Sequence, residues 1–435
     1  MNTTEASSTF PPADSNDLGS QITGVLLEKP ESERRGFSVQ LATSLEVIES
    51  LRPVWTTWTH SLETDVDYFL HNMTSDPSVV HPYIITVYQR GVAQAMLLGL
   101  ATRRRISMVV SYVPIQGPKA NVLEIVHGGR LGPPNLAIDR VLAGELLKAI
   151  RHGGFDLVQF HRLAFDSDLF REVQQLSGPL VKQRAPHVFC YSTLSLTAPP
   201  GKKPAALSGK IRREARRKTR IILRAFPGRV RYQCFSHPAE LPAGLRDAAT
   251  IAADSWQRHL GDAALSDPRT MQALNFCAQQ GWLRIFVLYT DERPRAFLIG
   301  QLYKRTFYCQ HAGFEPDFAR YSVGSLLTSW ALERLADAGA EEVDLGEGGE
   351  EHNRRLGCRL QQEATLHVYS PSLRGLWLNM FVGSTQIVRN GGRKVRSRFE
   401  LEGLKRAWAR FFIARLRAKN TEDQEHSISE RSRAA

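Results

Sequence analysis

The chain has 435 residues, 42% of them hydrophobic, with a formal net charge of +12. That length exceeds one ordinary core and calls for two domains. The apolar content excludes a disordered protein, and no run reaches the roughly 18 apolar residues of a membrane helix. The cysteines, Cys190, Cys234, Cys277, Cys309 and Cys358, stand far apart with no C-x-x-C pair. Such spacing argues against zinc and a disulfide framework and for a reducing cytoplasm.

Residues 1–35 read as a polar, disordered leader without the basic start or apolar stretch of a secretory signal. A first unit is expected over 36–200. It opens on three antiparallel strands at 83–89, 92–100 and 105–113, joined by tight turns. A helix at 135–151, a strand at 156–160 and a closing strand near 187–196 follow. Residues 197–205 are rich in Pro, Gly and Lys and read as a loop.

A basic helix is predicted at 208–225, within a linker spanning 201–228. Residues 202–224 hold ten Lys or Arg against Glu214 alone. Like charges this dense need a counter-ionic partner, which can be a cofactor's phosphates, RNA or anionic lipid; a solvated connecting helix is the plain alternative.

The second unit, 229–370, repeats the order of the first. Helices are predicted at 239–260 and 267–280, and strands at 282–290, 294–303 and 306–313. A helix at 325–338 leads to strands at 342–345 and 361–370. Val-Tyr-Gln-Arg-Gly-Val-Ala-Gln-Ala-Met-Leu-Leu-Gly, ending at Gly99, aligns with Leu-Tyr-Thr-Asp-Glu-Arg-Pro-Arg-Ala-Phe-Leu-Ile-Gly, ending at Gly300. The chain therefore reads as one α/β unit used twice. Residues 371–420 read as basic amphipathic helices of membrane-interface composition, with packing on the domain body as the alternative, and 421–435 as a disordered tail.

Chemistry concentrates between 305 and 357. A strand runs into the loop Phe314-Glu-Pro-Asp-Phe-Ala-Arg-Tyr-Ser-Val-Gly324, then a helix, then a glycine-rich acidic turn, Val343-Asp-Leu-Gly-Glu-Gly-Gly-Glu350. Helix-start amides attract an anion, and a small residue there lets it come close. A plain strand-to-helix turn with Ser322 as N-cap is the alternative. Among the acids, Glu347 and Glu350 are placed to act as base or to bind an acceptor, whereas Asp344 fixes the turn; a solvated acidic loop is the alternative. Tyr308 and His311 are expected on opposite faces of their strand. His311 is a weaker candidate for the site, and a backbone amide of the same strand is the better group to polarise a carbonyl. There is no Gly-x-Ser-x-Gly, no Walker A loop and no metal-ligand spacing.

The run from Gly313 to Gly324, with Asp344-Leu-Gly-Glu-Gly beyond it, resembles the acetyltransferase domain of bacterial CelD-type proteins of cellulose and exopolysaccharide biosynthesis. That family lies in the GNAT superfamily and is related to the Fem peptidyltransferases. Val323 stands where the family has proline, and Gly349–Asn353 replace an Asp-Glu-Pro-Tyr-Lys run, so the family lysine is absent. The resemblance implies tandem GNAT-like α/β domains, each a mixed, mostly antiparallel sheet flanked by helices. It implies an acyl-CoA donor, acetyl-CoA above all, with Arg320, Ser322, Gly324 and Ser325 around its pyrophosphate. It implies Tyr321 as proton donor to the leaving thiolate, and Arg213 and Arg217 of the basic helix at the donor's phosphates. The expected acceptor is a small-molecule amine such as an amino sugar, attacked directly, with no metal. The expected place is the cytoplasm, including the inner membrane surface. Two rival readings are a Fem-like transferase using aminoacyl-tRNA and a non-catalytic binding protein of an anionic membrane surface.

Overall fold

A computed structural model describes residues 36–384 except 111–112, 179–180, 182, 184–186, 198–208, 255–264, 266, 348–352 and 355. The first half runs β1 (Phe37–Ala42), α1 (Leu45–Trp58), a 3₁₀ turn (Leu62–Thr64), α2 (Val66–Ser75), β2 (Val79–Gln89), β3 (Val92–Val110), β4 (Val113–Leu131), α3 (Leu136–His152), β5 (Leu157–Ala164), α4 (Asp168–Leu176) and β6 (His187–Ser195). The second runs α5 (Gly209–Ala225), β7 (Val230–Phe235), α6 (Leu241–Asp254), α7 (Pro268–Gln279), β8 (Leu283–Thr290), β9 (Arg293–Tyr303), β10 (Thr306–Phe314), a 3₁₀ turn (Pro316–Tyr321), α8 (Val323–Asp337), β11 (Glu342–Glu347) and β12 (Arg359–Tyr369). Another helix covers 373–384.

The twelve strands of the described residues form one sheet, in the order β1-β2-β3-β4-β5-β12-β6-β11-β10-β9-β8-β7. Read from either end, the order lists equivalent strands of the two copies. The last strands are exchanged: β12 pairs with β5 of the first copy, and β6 with β11 of the second. β6 and β12 pair antiparallel with each other at the centre. In each copy one parallel ladder, β4 with β5 and β10 with β11, marks the crossover through a helix. The expected tandem α/β architecture is thus present, as one continuous sheet.

Period-two burial assigns the faces. Val158, Phe160, Ala364, Leu366 and Val368 pack under α3, and Phe307, Val343 and Leu194 under α8. The register places these two helices on the same face. The other face carries α1 and α2 over the first copy and α6 and α7 over the second. There Leu62 and Tyr68 of the first copy join the core of the second. Residues 36–106 and 118–379 of the described chain lie in one compact unit; 107–117 and the stretch from 380 onward fall to another.

Two local expectations change. The run 105–113 is no separate strand: β3 continues to Val110, and the third strand is β4. The break expected between Leu100 and Arg105 is absent: Arg104 lies within β3, and its guanidinium meets Glu124 of β4 at 2.8 Å. Tyr308 and His311 share a face. A bulge between Cys309 and His311 sets Tyr308 opposite Gln301 and His311 opposite Ile299, two residues apart on β9. The helices α1, α2 and α4, the strands β1 and β7 and the 3₁₀ turn at Leu62–Thr64 had no expected counterpart.

Candidate functional site

The loop before α8 is built by aromatic packing. Phe226, just past α5, lies against Phe318 and Tyr321 with centroids 5.8 and 5.5 Å away. Arg295 sets its guanidinium 4.1 Å over Phe318 and pairs with Glu315, pinning the start of the 3₁₀ turn. The turn ends on Ser322 in the left-handed conformation, φ 56° and ψ 39°, which a non-glycine residue adopts only when its surroundings hold it there.

That geometry opens the start of α8. Ser322 occupies the N-cap position without a side-chain hydrogen bond to the helix. Leu326 is the first residue whose amide reaches back, to the Ser322 carbonyl at 3.0 Å. No backbone hydrogen bond from the amides of Val323, Gly324 and Ser325 is found among the described residues. The first turn has no acid. At Gly324 an added Cβ would come within 3.3 Å of the Phe314 ring, so the half-buried site has little spare room. Arg320 is exposed beside it, with its guanidinium 4.9 Å over the half-buried Tyr321 ring. Arg320, Tyr321, Ser322, Gly324 and Ser325 are therefore gathered at one helix start.

Arg213 and Arg217 are exposed on α5, which packs along α8 and the 3₁₀ turn. At 1.5 Å per residue they lie about 20 and about 14 Å along the helix from Phe226. Arg220 and Arg224 are nearer the loop on the same helix.

Below α8 the sheet opens. β10 and β11 pair through Tyr308 and Asp344 and then part. β10 follows β9, with its bulge at Gln310, and β11 follows β6, with a second bulge at Leu345. Beyond Tyr308 no further β10–β11 pairing is found among the described residues. His311 is half-buried past the bulge. Glu347 is exposed at the end of β11, opposite Tyr191 of β6. Glu350 lies outside the described residues.

Asp344 holds the point where the strands part. It is 8% exposed, and its Oδ1 accepts the Gly346 amide at 2.8 Å, the turn-fixing bond expected of it. Burial pushes its carboxyl up to about 6, against the Gly346 bond and the fields of Arg162 and His127. Burial also pushes the Tyr308 hydroxyl up to about 12 and the Cys309 thiol up to about 12. Sequence reasoning gave Asp344 only the turn-fixing role and not a raised carboxyl. Its signal was present in its strand-end position, but its burial comes from strands far away in the chain. Among the described residues no group of three His, Cys, Asp or Glu could hold a metal ion, and no helix is long and apolar enough to cross a membrane.

No curated protein matches the chain. Among solved structures it resembles a tandem GNAT protein from the clavulanic acid biosynthesis pathway (10% identity, 77% of this chain and 99% of that one, TM-score 0.43). It also resembles FemX (9% identity, 76% and 97%, TM-score 0.49) and L-PGS from Bacillus licheniformis (11% identity, 80% and 97%, TM-score 0.44). Residues 209–354, from α5 past the parting of β10 and β11, match the family model described as an acetyltransferase (GNAT) domain. That match takes in most of the second copy, including its helix start at α8 and the parting of β10 and β11.

Proposed function

We propose that the protein transfers an acyl group from acyl-CoA to the amine of a small molecule, by direct attack on the thioester. The observation that carries this reading is the unsealed start of α8 beside the parting of β10 and β11. The donor pyrophosphate meets the amides of Val323, Gly324 and Ser325, with Ser322 and Arg320 alongside and the arginines of α5, Arg213 and Arg217 among them, supplying positive field. The thioester carbonyl faces β10 where it parts from β11, and a strand amide there stabilises the oxyanion. Tyr321 is the proton donor to the thiolate, and Glu347, Glu350 and His311 are further candidates on the acceptor side. Acetyl-CoA is the simplest donor. The CelD-type resemblance favours a polysaccharide or cell-envelope amine, made at the inner face of the membrane. The division at 36–200, 201–228 and 229–370 remains part of this proposal.

The test is the thermal shift of the purified protein with CoA and acetyl-CoA, beside Gly324→Glu. A ligand bound only by the folded state raises its apparent stability. The expected outcome is a rise in wild type that disappears in the variant. No rise at millimolar CoA in the wild type sinks the reading. A second donor class has its own support in the outward arginines of α5, Arg213, Arg216, Arg217 and Arg220, all exposed. If the donor is an aminoacylated RNA, binding falls steeply with salt, and CoA gives no shift.

A further inference from the structure

On the face of the sheet opposite α8, a buried polar cluster spans the two copies. The register pairs Tyr191 with Glu347 and with Gln361, and Thr193 with Asp344. Tyr191, Asp344 and Glu363 therefore share that face. Arg162 of β5, itself left-handed at φ 58°, donates through Nε to Glu363 Oε2 at 2.9 Å. Its guanidinium lies 3.7 Å over the Tyr191 ring. His127 Nε2 stands 3.6 Å from the other Glu363 oxygen. Burial would raise the Glu363 carboxyl, but His127 and Arg162 together hold it below its ordinary value.

The cluster has polar capacity that the protein does not use. The Tyr191 hydroxyl, the second terminal nitrogen of Arg162 and His127 Nδ1 are buried without a hydrogen-bond partner among the described residues. Tyr191 is only 4% exposed. Unmet buried donors and acceptors are costly, and three around one carboxylate point to an absent ligand. Solvent reaches the cluster, since the Arg162 and His127 side chains keep 27% and 20% exposure. The charge balance is negative. Glu363, Asp344 and Glu63, which acts on Asp344 from the 3₁₀ turn of the first copy, outnumber Arg162. Asp344 Oδ1 is taken by Gly346, while Oδ2 takes no bond among the described residues.

We propose that this cross-copy cluster binds the acceptor, a primary amine flanked by hydroxyl or carbonyl oxygens, with Asp344 on the nitrogen and Arg162, Tyr191 and His127 on the oxygens. The assignment rests on the acyl-transfer reading above. The ammonium gives one proton to the Asp344 carboxylate. The neutral nitrogen then bonds to the thioester carbon, the C–S bond breaks, and the sulfur leaves as thiolate and takes its proton from Tyr321, which is reprotonated by the second nitrogen proton. Asp344 returns its proton to solvent.

The test is calorimetric titration of the full-length protein with glucosamine, and with glucose as the amine-free control, in wild type, Asp344→Asn and Tyr191→Phe. CoA is titrated separately. The expected result is glucosamine binding by wild type, no glucose binding, at least tenfold weakening in Asp344→Asn and about threefold in Tyr191→Phe. Because the Tyr191 hydroxyl has no hydrogen-bond partner among the described residues, Tyr191→Phe should not lower the melting temperature, which guards against misreading a folding defect. No glucosamine binding by wild type, or wild-type binding by either variant, overturns the assignment. Loss of CoA binding in wild type speaks against the donor reading instead, and the amine titration stands apart from it.

Discussion

The two copies put the same helix after the same strands and finish it differently. At α3 the Asn135 side chain accepts from the Ala137 and Ile138 amides at 2.9 and 3.4 Å. Asp139 adds a buried acid in the first turn, and Arg130 is spent on it at 2.8 Å and on the Leu131 and Gly132 carbonyls at 3.0 and 2.7 Å. At α8 the residue in the capping position is twisted out of reach, and the first turn has no acid. One helix start is sealed against anions by its own side chains and the other is left open. In a duplicated fold, a binding end and a supporting end can thus differ by a cap and one acid.

Substitutions can sharpen or break that contrast. The largest effect is expected at Arg130→Ala, which strands the buried Asp139 carboxylate. Stability should fall by about 3 kcal/mol in urea unfolding, with any CoA response unchanged. A loss of CoA binding at unchanged stability would break the division of labour.

Asp344→Asn should act through pH. The native carboxyl is raised by burial to about 6, so between roughly pH 4 and 6 the native state holds a proton that the unfolded chain has released. Wild-type stability therefore falls as pH rises through that window, and above it the full cost of a buried charge remains. Asparagine escapes this cost and still accepts from the Gly346 amide. The variant should gain about 2 kcal/mol over wild type at pH 7.5 and nothing near pH 3.5. Equal differences at both pH values would remove the buried charge from the account, along with the fields of Arg162, His127 and Glu63 upon it.

Ser325→Asp writes an acid into α8, as Asp139 does in α3. CoA affinity should drop about tenfold, or about 1.4 kcal/mol, while the unliganded protein melts no lower because the acid suits the helix dipole. The smallest effect is expected at Asn135→Ala, where loss of the cap costs about 1 kcal/mol. Asp139 still repels anions there, so a new CoA response from the first copy would break the comparison.

Much of this was legible in the sequence. The repeated strand–helix–strand order, the basic helix and the helix after Gly324 all follow from local periodicity and turn residues. The face assignment of Tyr308 and His311 was not, because one bulged residue reverses parity and leaves no mark in composition. The break expected between Leu100 and Arg105 did not form, and the pairing of Arg104 with Glu124 of the next strand leaves no mark in composition. The polar cluster was least visible. Arg162 and Glu363 are 201 residues apart, and only the exchange of β6 and β12 brings them together. Of the expected site, the group at the α8 start is gathered in space, while Glu350 lies outside the described residues.

The exchanged strands also set a timetable for synthesis. β5 leaves the ribosome with one edge open, and the strand that closes it, β12, ends at Tyr369. At ordinary translation speeds that interval is about 10–40 s. Through it the first copy carries an unpaired sheet edge, the part of a nascent chain most prone to wrong pairing. Truncation before β12 should therefore damage the first copy, although the missing residues belong to the second.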